Sequence, residues 1–111
     1  MTPALTPALA LEYLHELSAD IEAGVVLGAD GTLLAGADEL AGAARDLIAA
    51  AGDASDLHVT TADGAVFAAR DERHAIVVAC GRFALPSLAR YDLRMVLADL
   101  AGAGGGGKAA A

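Results

Sequence analysis

Leu57-His-Val-Thr-Thr-Ala-Asp-Gly-Ala-Val-Phe-Ala-Ala-Arg-Asp-Glu-Arg-His-Ala-Ile-Val-Val-Ala-Cys80 reads as three strands joined by two short reversals. Asp63-Gly64 stands between two apolar runs, the strongest short-range hairpin signal, because a type I′ turn needs positive φ at both central residues. The polar triplet Asp71-Glu72-Arg73 then separates the second run from the third, residues 74–80. Moving toward the N-terminus, the same device recurs at Asp30-Gly31, between Ala23-Gly-Val-Val-Leu-Gly28 and Thr32-Leu-Leu-Ala-Gly36. Two hairpins and a fifth strand are expected.

Helical periodicity fills the spaces around them. Between the second and third strands, Asp38-Glu-Leu-Ala-Gly-Ala-Ala-Arg-Asp-Leu-Ile-Ala-Ala-Ala51 carries acids in its first turn and is followed by Gly52, as helix termini prefer. Thr6 as cap and Pro7 in the first turn open a helix expected over residues 7–20, with Pro7, Ala10, Leu11, Leu14, Leu17, Ser18 and Ile21 on one face. Leu5, Leu9 and Tyr13 form a second stripe, either core beneath another helix or a strip for a partner. A last helix is expected over 85–101, with Leu85, Ala89, Leu93, Val96, Leu97 and Leu100 as its apolar face. Residues 1–101 are read as one domain and 102–111 as a flexible Gly/Ala tail. The order α-β-β-α-β-β-β-α predicts an α+β fold: a five-stranded, mainly antiparallel sheet with helices on both faces.

Composition narrows the function classes. At 111 residues the chain fits a single core that removes about 65% of the unfolded surface from water. The hydrophobic fraction of 56% is inflated by 29 Ala beside 16 Leu and only 10 Val or Ile, and no window is long and apolar enough for a membrane span. With no basic, apolar leader expected either, the chain reads as cytoplasmic. A lone cysteine, Cys80, fits a reducing compartment and a buried small hydrophobe. The net charge of −8 speaks against nucleic acid. All of that net charge falls in residues 1–55, with nine acids against Arg45, whereas residues 56–111 balance six acids with six bases.

No catalytic, metal or cofactor constellation is expected. Gly102 to Lys108 spells G-x-x-x-x-G-K, but the phosphate loop needs a strand before it and a helix after it, and Ala109 stands where Ser or Thr would hold magnesium. His15, His58 and His74 have neither the spacing nor the cysteine partners of a metal site.

A surface is expected instead. On the second helix, Leu40, Ala44, Leu47, Ile48 and Ala51 make the core stripe, which turns Asp38, Gly42, Arg45, Asp46 and Ala49 outward. Small Gly42 and Ala49 on a face that should be polar would let a second helix approach, with Arg45 and Asp46 exchanging ion pairs across a two-fold axis. In the third strand, Leu57, Val59 and Thr61 alternate with His58 and Thr60, and no Lys or Pro blunts it, so as an edge it could pair with its own copy. Arg90 and Arg94, with Tyr91 nearby, lie either on a solvated helix face or against an acidic partner.

Taken together, Gly24-Val-Val-Leu-Gly-Ala-Asp-Gly-Thr-Leu-Leu-Ala35, the segment from Leu57 to Phe67, His74-Ala-Ile-Val-Val-Ala79 and Leu88-Ala-Arg-Tyr-Asp-Leu-Arg94 resemble, in this order, the Roadblock family of dynein light chains and bacterial GTPase regulators. The resemblance spans residues 8–101. It implies a profilin-like sandwich that forms a homodimer, or a heterodimer with a paralogue, through paired third strands and packed second helices. It further implies a non-enzymatic regulator or scaffold of a small Ras-like GTPase, and Asp38, Glu39 and Asp46 are the first choice for the GTPase-facing surface. The Ala-, Gly-, Asp- and Arg-rich composition points to a bacterial source, and so to signalling or polarity rather than dynein. A small-ligand sensor and a purely structural dimeric adaptor are the rival readings.

Overall fold

In the computed structural model, which describes residues 5–104, the elements run α1 (Pro7–Leu17), β1 (Ile21–Gly28), β2 (Leu33–Gly36), α2 (Asp38–Ala50), β3 (Asp56–Thr60), β4 (Gly64–Arg70), β5 (His74–Gly81) and α3 (Pro86–Gly104). The five strands form one sheet in the order β2-β1-β5-β4-β3, and every neighbouring pair is antiparallel. This is the expected α+β architecture. β2 and β3 are the two edges, so α2, which joins them, must cross one face of the sheet.

Alternation along the strands divides the interior into two layers. Val26, Phe67, Ala69, Ile76, Val78 and Cys80 point to the side where α1 brings Ala10, Leu11 and Leu14 and α3 brings Leu93, Val96, Leu97 and Leu100. Val25, Leu27, Ala68, Ala75 and Val77 point to the side of α2, which brings Ala44 with Leu40, Leu47 and Ile48. Because helices cover both faces of the central strands, Val25–Leu27 in β1 and Ala75–Val78 in β5 are buried without alternation.

Several boundaries differ from the sequence expectation, each for a local reason. α1 stops at Leu17, three residues early: Ser18 is extended, its Oγ accepts from the Asp20 amide at 3.3 Å, and its carbonyl accepts from Ile21, an alternative to helical bonding that Ser often takes. Ile21, expected on the α1 face, therefore opens β1, where it is buried. At the N-terminal end the cap is as expected, with Thr6 Oγ1 accepting from the Leu9 amide at 3.2 Å ahead of Pro7. α2 has its expected acidic first turn, and Gly52 follows it at φ +62°. α3 continues through Gly102 to Gly104, past its expected end at residue 101. The tail expected over 102–111 lies outside the described residues from 105 on.

Neither Asp-Gly pair forms the type I′ turn that its letters suggest, since no residue other than glycine has positive φ among the described residues. The first hairpin is a three-residue loop in which Gly28 O accepts from Gly31 N at 3.0 Å and Thr32 O accepts from Gly28 N at 2.8 Å. Gly31 alone takes positive φ, at +87°, which spares Asp30 the strained conformation. At the second, Gly64 is needed for space. It begins β4 opposite Gly81, and a Cβ there would run into the Cys80 carbonyl.

Candidate interaction surface

α2 lies chiefly over β1 and β2, which leaves its side of β3 and β4 partly open. There Leu57 and Val66 are half-buried and Val59 remains 39% exposed. Leu40, Ala43, Ala44 and Leu47 of α2 form the other wall of a narrow apolar groove of about 110 Å³, floored by Val77 and closed by Val59 and Val66. The apolar stripe of α2 is thus only half covered, and it lies beside an edge strand, whose outer backbone groups can pair with another strand.

The structure places the outer α2 residues as the periodicity expects. Asp38, Glu39, Gly42, Arg45, Asp46 and Ala49 are all exposed, and nothing approaches within 4 Å of where a Gly42 Cβ would stand. Arg45 is not free to serve a partner with its whole guanidinium: its Nε donates to Gly31 O at 2.6 Å and ties α2 to the first hairpin. Leu57 and Val59 share the α2 face of β3, whereas His58 faces the opposite layer and stacks on Phe67, with ring centroids 4.5 Å apart. Thr61 falls outside this set. β3 ends at Thr60, and Thr61 is in the turn, its amide donating to Gly64 O and its Oγ1 accepting from Gly64 N at 3.0 Å.

Arg90 and Arg94 lie on a solvated helix face, their side chains 48% and 64% exposed, but they are not unpaired. Both reach Asp56, the first residue of β3, with Arg90 at 3.4 Å and Arg94 in close contact. The acidic partner that the sequence left open is thus within the chain, and the Arg94 hydrogen bond, with the two positive charges, holds the Asp56 carboxyl below its ordinary range. Asp56 fixes the end of the edge strand to α3. The α2–β3 connection is held in a similar way from below, where Arg70 Nε donates to Ala54 O at 2.9 Å.

Cys80 is 4% exposed, and burial, with Asp20 and Glu22 nearby, pushes its thiol up to about 11, so the thiolate needed for nucleophilic attack is disfavoured. Among the described residues no group of three or more His, Cys, Asp or Glu side chains is placed to hold a metal. No helix among them is long and apolar enough to cross a membrane. A shallow cleft of about 590 Å³ opens between the first hairpin, the end of α2 and the β4–β5 turn; Arg45, Asp53, Arg70, Glu72 and His74 line it, and His74 Nδ1 is buried without a hydrogen-bond partner.

The periodicity missed a second exposed apolar region. Leu85, expected in the core face of the last helix, precedes it and is exposed together with Phe83, Leu88 and Tyr91. The signal was the short apolar run Phe83-Ala-Leu ahead of Pro86, in which Ala84 packs against the core while Phe83 and Leu85 on either side of it are exposed. On α1, Leu9 and Tyr13 of the second stripe are likewise exposed, while Leu5 packs against the core.

No family model matches the chain, and no curated protein matches it in sequence. Solved structures do match in shape. The Roadblock/LC7 domain from Streptomyces avermitilis superposes with a TM-score of 0.71 at 18% identity, covering 80% of this chain and 89% of that one. Myxococcus xanthus MglB gives 0.67 at 16% identity, covering 79% of each chain. Acanthamoeba castellanii profilin II gives 0.64 at 14% identity, covering 89% of this chain and 99% of that one. The chain therefore has a Roadblock-like fold, within the wider profilin-like architecture.

Proposed function

We propose that this protein is a non-enzymatic homodimer that regulates or scaffolds a small Ras-like GTPase in bacterial signalling or polarity. The observation that carries the reading is the half-covered apolar stripe of α2 beside the open edge of β3. Two copies related by a two-fold axis would continue the sheet through β3 and close the groove between Leu47 and Val59, with Gly42 and Ala49 allowing the two α2 helices to approach. The Roadblock-like fold, shared with MglB, supports a GTPase-pathway role. In such a dimer Asp38, Glu39 and Asp46 line the margin of the paired helices and offer an acidic surface to the GTPase.

The test is co-purification with a Ras-like GTPase encoded near this gene, loaded with GDP or with a non-hydrolysable GTP analogue, followed by GTP turnover with and without the protein. Binding in one nucleotide state supports the proposal, and binding in neither refutes it. The cleft beside His74 favours the rival reading of a small-ligand sensor, since about 590 Å³ lies within the range of ligand pockets. Native mass spectrometry separates the two: a retained small molecule supports the sensor, an apo dimer the regulator.

A further inference from the structure

On the opposite layer from α2, a small pocket of about 130 Å³ lies between the α1–β1 turn and the start of α3. Its inner wall is apolar, from Ile21, Val78 and Leu93, but Asp92 also lines it. Asp92 is only 7% exposed, and among the described residues its carboxylate accepts no hydrogen bond and meets no cation. The nearest arginines on the same helix, Arg90 and Arg94, are turned to Asp56. Burial alone raises the Asp92 pKa, with no favourable contact set against it. Among the described residues His74 Nδ1 alone is fully enclosed without a partner, so the Asp92 oxygens keep contact with solvent at the pocket, where an entering donor would take the place of water.

The surroundings say what kind of donor fits. Asp20 stands on the rim of the same pocket, and behind burial, the larger cause, Asp20 and Glu22 also oppose ionisation of Cys80, while the Arg82 guanidinium lies over the Phe83 ring at 6.0 Å. Around the mouth, Phe83 is 82% exposed, Leu85 64% and Leu88 50%, with Tyr91 on the next turn of α3 also exposed. The pocket has room for about four waters, comparable to the end of a lysine side chain.

We propose that this pocket docks a partner protein segment through one Lys or Arg side chain, whose cationic head pairs with Asp92 while apolar neighbours in the segment cover Phe83, Leu85 and Leu88. The site is on the other side of the sheet from the α2–β3 surface, so it is open in the monomer and in the proposed dimer alike. It gives the protein a second attachment point, independent of the GTPase reading.

The probe is a short helical peptide with one Lys flanked by Leu and Phe a turn to either side, and its Lys→Gln twin, titrated into the full chain and read by amide chemical-shift mapping. The Lys peptide should shift Phe83, Leu88 and Asp92, and should bind about tenfold or more tightly than the Gln twin. Asp92→Asn should abolish that difference while leaving the remaining apolar binding. Phe83→Ser, at a position too exposed to threaten folding, should weaken both peptides. Gly42→Arg should leave binding intact, which separates this proposal from the dimer. Equal affinity for the two peptides, an unchanged preference in Asp92→Asn, shifts confined to the α2 side, or no binding of either peptide would overturn it. So would Phe83→Ser converting a larger assembly to a smaller one with no peptide binding, which would mean that a second copy covers this face.

Discussion

Replacing Gly42 separates the stability of the fold from the stability of the proposed dimer. The residue sits in the interior of α2, exposed, with no atom within 4 Å of where its Cβ would stand and no positive φ. In that setting glycine costs about 0.8–1 kcal/mol relative to Ala, and Arg is nearly as good a helix former as Ala. Both Gly42→Ala and Gly42→Arg should therefore raise the melting temperature of the monomer, by about 4–8 °C per kcal/mol for a domain of this size. Their effects on association should diverge. If α2 meets its copy near Gly42, an added methyl in each protomer causes overpacking worth about 1–3 kcal/mol, a shift of roughly one to two decades in dimer Kd. An Arg there would also bury two like charges across the axis, and the dimer should be lost. The assay is light scattering over a concentration series, with thermal unfolding measured at dilutions where wild type and variants are all monomeric, since mass action otherwise mixes the two quantities. A Gly42→Arg variant that keeps the wild-type mass would remove α2 from the interface. Melting below wild type as a monomer would refute the helix argument itself.

Three further outcomes follow from the interior. Phe67→Ala, at a fully buried ring that packs against His58, should cost about 3–5 kcal/mol in chemical unfolding, and a loss below about 1 kcal/mol would contradict the packing described. Asp92 has its pKa raised above 3.8 by burial, so the native state binds that proton more tightly than the unfolded chain; stability from this group is present below 3.8 and is lost as pH rises through the raised value. Asp92→Asn should accordingly be more stable than wild type at neutral pH, with the difference closing as pH falls below 3.8, and a gain that persists at low pH would refute the desolvation argument. Cys80, with its thiol near 11 and 4% exposed, should react with a disulfide reagent at mildly alkaline pH only at the rate of unfolding; rapid labelling of the native protein would contradict its burial.

Much of the fold was legible because it depends on neighbours in the chain. Short apolar runs, helical periodicity, turn glycines and the capping of α1 by Thr6 and Pro7 are local, and from them the eight elements follow in order. What misled were letters whose meaning depends on context. Asp30-Gly31 and Asp63-Gly64 look alike, yet the first glycine serves the loop's backbone and the second makes room for a strand from elsewhere in the chain. Ser18 ended α1 through a hydrogen bond that competes with the helix, which periodicity does not register. Of the candidate surface, the outward positions on α2 were readable from the helical period, and Leu57 and Val59 from alternation along β3. Thr61 was misplaced by one residue at the strand end, where a turn hydrogen bond decides.

The sequence by itself determined the elements and their order, and on α2 and β3 which positions turn outward, because those follow from spacing along one chain. Only the tertiary structure decided which strands are edges, that Asp56 rather than a partner receives Arg90 and Arg94, and that Asp92 faces a pocket with no cation of its own. These are facts about residues far apart in sequence. Burial and pairing are set by what the fold brings alongside a side chain, and Asp56 and Asp92, identical as letters, have their carboxyl pKa values moved in opposite directions for that reason.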